Sequence, residues 1–138
     1  RKWLLVITLA DTAGSAAPAE AMRLAVTRAR FLELLCGLVR TCSHAPESMF
    51  LLGLLSQLDA LLGIPMPVLL AHLPLDADFR AALSGEPSPM HDELHLAVLL
   101  ERGAWDEALP LMARLDFSPV DVARINIDAQ VWASRILS

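Results

Sequence analysis

Phe50-Leu51-Leu52-Gly53-Leu54-Leu55-Ser56-Gln57-Leu58-Asp59 wraps apolar side chains around nearly the whole circumference of a helix wound at about 3.6 residues per turn. Pro46 suits the first turn of that helix, where its missing N–H costs nothing and Glu47 meets the positive end of the dipole. Gly63 ends it. Along it, Gly53, Ser56, Ala60 and Gly63 form one narrow line of small residues. The pattern predicts a central, most buried helix over 46–63, with another helix packed closely along that line at Gly53 and Ala60.

The sequence upstream supplies a partner. Pro18 opens a long helix running to about Cys42, with Leu24, Phe31, Leu35, Leu38 and Cys42 on one stripe. Ala25, Ala29, Leu32, Cys36 and Val39 form the next stripe. Arg23, Thr27, Arg30, Glu33 and Arg40 occupy the opposite side. Before it, Lys2 to Ala10 reads as the end of a buried helix and Asp11 to Ser15 as a turn. Arg1-Lys2 and the apolar run after them mimic a signal peptide. The absence of an initiator methionine points instead to a start inside a longer protein.

Downstream, prolines and caps mark the elements. Pro65, Pro67 and Pro74 break the apolar stretch 60–75, leaving one short helix from Pro67 to His72 and no run of the ~20 residues that a membrane span needs. Asp76 caps a short helix ending near Gly85. Ser88-Pro89 starts a helix that Gly103 terminates, and Trp105 begins the next, kinked or restarted at Pro110. Ser118-Pro119, with Asp121 three residues after the serine, gives a capping-box-like start to the last helix. Val122, Ile125, Ala129, Trp132 and Ile136 line its inner face. The 138 residues thus predict one all-α domain, a bundle of about seven to eight helices, and 55% hydrophobic content is ample for its core.

Composition narrows the function classes. A net charge of −5 with scattered basic residues leaves no footprint for a nucleic-acid backbone. Cys36 and Cys42, placed on one helix, stand roughly 9 Å apart along its axis, beyond disulfide reach. Two buried thiols and a reducing cytoplasm follow from that placement. No glycine-rich phosphate loop occurs, and Ser15, Ser48, Ser84 and Ser134 sit in no nucleophile elbow. Trp3, Trp105 and Trp132 fall among aliphatic neighbours and are expected as core anchors.

His91-Asp92-Glu93-Leu94-His95 sets two imidazoles at i and i+4, the spacing of a zinc-protease helix. Such a helix needs Glu directly after the first His to activate water, and Asp92 is one methylene shorter. The simpler reading is a solvated helix start with both histidines on a polar face. His44 and His72 have no Cys, Asp or Glu companion at ligand spacing and are expected at the surface or in packing.

The run at 50–59 resembles the central helix of the HD phosphohydrolase superfamily, in which Gly-Leu-Leu precedes a metal-binding His-Asp pair. Ser56 and Gln57 stand at those two positions. Ala60-Leu61-Leu62-Gly63-Ile64-Pro65-Met66, Leu73-Pro74-Leu75 and Glu101-Arg102-Gly103-Ala104-Trp105 narrow the likeness to the HD-related output domain (HDOD) that follows an EAL-type cyclic di-GMP phosphodiesterase domain. The resemblance spans roughly residues 1 to 115. It implies an HD-superfamily-like bundle lacking its first helices and an upstream EAL domain.

Neutral Ser56 and Gln57 make weak ligands for divalent ions, and Asp59 alone cannot build a two-metal centre. The expectation is a non-catalytic regulatory module with no metal and no cofactor, whose partner is the EAL domain, another signalling protein or a second copy. Two alternatives stand beside it. One is an enzyme, a degenerate phosphohydrolase or a zinc hydrolase using His91 and His95. The other is a peptide-binding scaffold, because Leu100 to Ala108 resembles a tetratricopeptide hairpin, although no second copy follows at the required period.

Overall fold

The computed structural model describes residues 19–38 and 44–138. Among them the fold is all-α, with eight helices and no strand. In chain order these are α1 (Ala19–Gly37), α2 (Pro46–Leu55), α3 (Leu58–Leu62), α4 (Met66–His72), α5 (Ala77–Ser84), α6 (Pro89–Glu101), α7 (Trp105–Arg114) and α8 (Pro119–Leu137). The expected helix at 2–10, the end of the long helix at 39–42, Trp3, Ser15 and Arg40 lie outside the described residues.

The helix starts follow the local chemistry. Asp76 accepts from the Phe79 N–H at 3.0 Å and Ser88 from the His91 N–H at 3.1 Å, each satisfying one of the orphan donors of a first turn. Pro119 opens α8, but Ser118 makes no capping bond. Asp121 instead holds Arg124 at 3.0 Å, so the capping box read from the sequence does not form. Arg80 ties α5 to the preceding α4 segment by donating to the carbonyls of Leu70, Leu73 and Leu75. α7 passes through Pro110 as one helix.

The hub of the bundle is α1 rather than the 46–63 segment. It packs on α2, α8, α6 and α3. Its N-terminal half (Met22, Ala25, Val26, Ala29) meets Phe50, Leu54, Leu61 and Ala133 in one apolar cluster. Its C-terminal half (Phe31, Leu32, Leu35) joins Met49, Leu52, Leu96 and Met112 in a larger one. With neighbours on so many sides, part of the face read as polar is covered too: Thr27 is 6% exposed and Glu33 7%, while Arg23 stays exposed. Glu33 holds Arg30 at 2.6 Å, and that guanidinium lies over the Trp132 ring, 5.2 Å from its centre. Phe50 meets the same ring edge-on at 5.9 Å. Trp132 is the anchor expected of it, but Trp105 is 38% exposed and is not.

The expected single helix over 46–63 is two. Ser56 closes α2 and Gln57, at φ −113° and ψ 7°, opens α3. Gly53 lies at a close helix crossing, where a Cβ would stand 2.4 Å from the Ala29 Cα and 2.5 Å from its nitrogen. Ala60, beyond the break, is exposed, because the change of direction at 56–57 turns the small-residue line away from α1.

Cys36 is disulfide-bonded, and none of the described cysteines is a free thiol. The expected pair of thiols assumed one helix through residue 42, whereas α1 stops at Gly37 and the chain turns at Leu38. The redox argument for a cytoplasmic setting falls with it. No helix among the described residues is long and apolar enough to cross a membrane.

Candidate functional site

The two positions that the HD resemblance would assign to a metal-binding pair fall at the α2–α3 break, where the end of α2 meets α1 and the end of α6. Ser56 is half-buried there. Its hydroxyl donates to the Gly53 carbonyl at 2.7 Å and accepts from Arg28 Nη1 at 2.8 Å. Arg28, 7% exposed in the middle of α1, turns Nε and Nη2 to one carboxylate. Nε reaches Glu101 Oε2 at 2.7 Å and Nη2 reaches Oε1 at 2.6 Å. The Glu101 side chain retains 17% of its surface.

This is a two-pronged charge-assisted pair with its long axis fixed by a third bond. Chemically it is a closed structure. The cation beside Ser56 is a guanidinium, and both oxygens of the Glu101 carboxylate are engaged by it. Gln57 holds the junction by its backbone, donating to the Leu54 carbonyl and accepting from the Leu61 N–H. Local reading did not identify Arg28 or Glu101. A signal existed, since Arg28 falls between Leu24 and Phe31 on a stripe that is otherwise apolar.

The His91–His95 motif stands elsewhere, on α6. The two rings stack with centres 6.0 Å apart, and His91 Nδ1 lies 3.3 Å from the Ala82 carbonyl. Among the described residues no group of three or more His, Cys, Asp or Glu is arranged to hold a metal ion. The intervening acids are less solvated than the sequence suggests. Asp92 lies 3.3 Å from Arg114 of α7, and Glu93 Oε2 is buried without a hydrogen bond. Burial raises the Glu93 carboxyl above its usual 4.5; the His44 charge pulls it back and Asp92 raises it further. His44 finds a companion that local spacing could not reveal, with Nε2 at 3.0 Å from Asp78 Oδ2 on α5. His72 is exposed at the end of α4.

The packing does not match a tetratricopeptide array. α6 and α7 do pack as a hairpin around Gly103, whose φ of +69° suits the turn. In a repeat array each unit contacts only its neighbours. Here α6 and α8, at the far end of the chain, both pack on α1, so the bundle closes on itself.

Over 130 residues, or 94% of its length, the chain is 32% identical to the cyclic di-GMP phosphodiesterase CdgJ of Vibrio cholerae serotype O1. It spans 30% of that relative. No family model and no solved structure matches it. The likeness therefore extends along almost all of this chain and over less than a third of a cyclic di-GMP phosphodiesterase.

Proposed function

We propose that this chain is a non-catalytic, HDOD-like regulatory domain of a cyclic di-GMP signalling protein, acting by protein–protein contact on an attached EAL-type phosphodiesterase domain. The carrying observation is the Ser56–Arg28–Glu101 unit. At the place where an HD enzyme would gather anionic and imidazole ligands around metal, this chain presents a neutral hydroxyl and a paired guanidinium. A second cation beside Arg28 would meet the repulsion of a guanidinium whose facing carboxylate is already paired with it.

The likeness to CdgJ supports the signalling context, and its extent fits a domain that is one part of a longer chain. A domain without chemistry can act only through differential affinity for two states of its neighbour. The cytoplasm is the setting this reading implies, from the signalling context rather than from free thiols.

Two measurements on the 138-residue chain test the absence of chemistry. Elemental analysis should find no stoichiometric zinc, iron or manganese, and cyclic di-GMP incubated with the chain should stay intact. About one metal per chain, lost on His91→Ala or His95→Ala, would revive the hydrolase.

A further inference from the structure

α8 presents one face to the bundle and leaves the other uncovered. Its inner side is Val122, Ile125, Ala129 and Ala133. Its outer side carries Val120 at 74% exposure, Ile127 at 60% and Val131 at 46%. At about 100° per residue these three β-branched side chains fall within about 40° of one another, on a single line along a helix about 28 Å long. Isolated exposed aliphatics are ordinary, but a line of them along one helix marks a contact surface.

The charges on α8 say what covers it. The helix holds only four, in the order Asp121, Arg124, Asp128, Arg135. All four lie on the same flank of the apolar line, about 60° to 120° around from Ile127. The opposite flank is Ala123, Asn126 and Gln130, with no charge. Read backwards, the order plus, minus, plus, minus is the complement of itself. When two helices pair antiparallel, each flank faces the same flank of the partner, and flanking charges then set orientation.

With Ile127 on the two-fold axis, Asp121 comes within two residues, about 3 Å along the axis, of Arg135 of the other copy, and Arg124 within the same distance of Asp128, both inside the reach of the arginine side chains. Parallel pairing would set the charged flank against the uncharged one and use none of this. From this order we infer that α8 is the self-association surface of the protein, an isologous antiparallel helix pair between two copies. The inference stands apart from the regulatory reading, which concerns a different neighbour. One helix pair is a small interface, so association is concentration-dependent. Net neutrality of α8 lets two copies of a chain carrying −5 approach there without local repulsion.

Sedimentation equilibrium of the chain from low micromolar to near-millimolar concentration reads the result. Wild type should pass from monomer to dimer, and Ile127→Lys should weaken association at least about tenfold. Two charge variants test register: Asp121→Arg with Asp128→Arg makes the flank wholly basic, and Arg124→Asp with Arg135→Asp makes it wholly acidic. Each alone should remain monomeric with unchanged circular dichroism, and an equimolar mixture should recover the dimer. A wild type that stays monomeric throughout overturns the inference and leaves the face to another protein. So does a dimer indifferent to Ile127→Lys, or a mixture that fails to associate while wild type does.

Discussion

Arg28 and Glu101, 73 residues apart in sequence, hold each other by two hydrogen bonds of 2.7 and 2.6 Å. The pair joins the middle of α1 to the last residue of α6, and Ser56 adds the end of α2. Removing Glu101 strands the buried Arg28 guanidinium, at a cost of up to about 3 to 5 kcal/mol, whereas removing Arg28 leaves a Glu101 carboxylate that reaches water and costs less; an apolar replacement of both is less costly than stranding Arg28. Glu101→Ala should therefore lower the urea midpoint strongly, and Arg28→Ala less. The double variant Arg28→Met with Glu101→Leu should recover much of the loss. Additive losses in that cycle would mean that the pair contributes nothing as a unit.

Gly53 is the second point of rigidity. A side chain there meets backbone, the Ala29 Cα at 2.4 Å, which cannot rotate away as a side-chain tip can. Gly53→Ala should cost at least about 1 to 3 kcal/mol, the range for overpacking, and Gly53→Leu more. Thermal unfolding of the two variants checks it. An unchanged melting temperature in Gly53→Leu would mean that α1 and α2 do not cross there.

Glu93 gives a pH dependence with a definite sign. Burial raises its folded carboxyl above the usual 4.5, so the unfolded chain gives up that proton first. Stability is undiminished below about 4.5 and falls as pH rises through the folded value. Glu93→Gln, which resembles the protonated acid, should stabilise the chain at pH 7. Its advantage should vanish by pH 4. Paired thermal melts at the two pH values, read as the difference between variant and wild type, check the sign; an advantage that grows on acidification contradicts it.

Asp116 sits at φ +63° in the turn between α7 and α8, where the Phe117 N–H closes on the Met112 carbonyl at 2.8 Å. A left-handed conformation costs a side-chain-bearing residue roughly 1 kcal/mol that glycine does not pay. Asp116→Gly should raise the melting temperature by a few degrees. A fall would show that the carboxylate itself stabilises the turn.

Which parts were legible follows from the range of the forces involved. Asp76, Ser88 and the prolines at 46, 89 and 119 announce helix starts because capping and ring geometry act within one turn, and the α5 to α8 boundaries match to within a residue or two. The break at Ser56–Gln57 carried no such mark, since the apolar pattern runs through it. α1 was read as having a polar side because Thr27, Glu33 and Arg30 are polar. Their burial depends on α2 and α8 arriving from elsewhere in the chain.

The candidate site divides the same way. Ser56 and Gln57 could be placed by resemblance to a motif. The Arg28 and Glu101 that close the site come from distant segments and show in sequence only as a charge interrupting the 24–31–35 stripe. Ser118 makes no capping bond and the Asp121 carboxylate takes Arg124 as its partner, a choice among partners that spacing alone does not rank.

The central claim, that the domain works on its neighbour rather than on substrate, is tested most directly by the cyclic di-GMP hydrolysis proposed for the intact protein, measured beside a version lacking residues 1–138 at a concentration where both have the same oligomeric state. Coupling energies between domains typically correspond to about 5- to 150-fold changes in a coupled affinity. The account predicts a change of that order in hydrolysis on deletion. Identical kinetics in the two proteins would contradict regulation in cis.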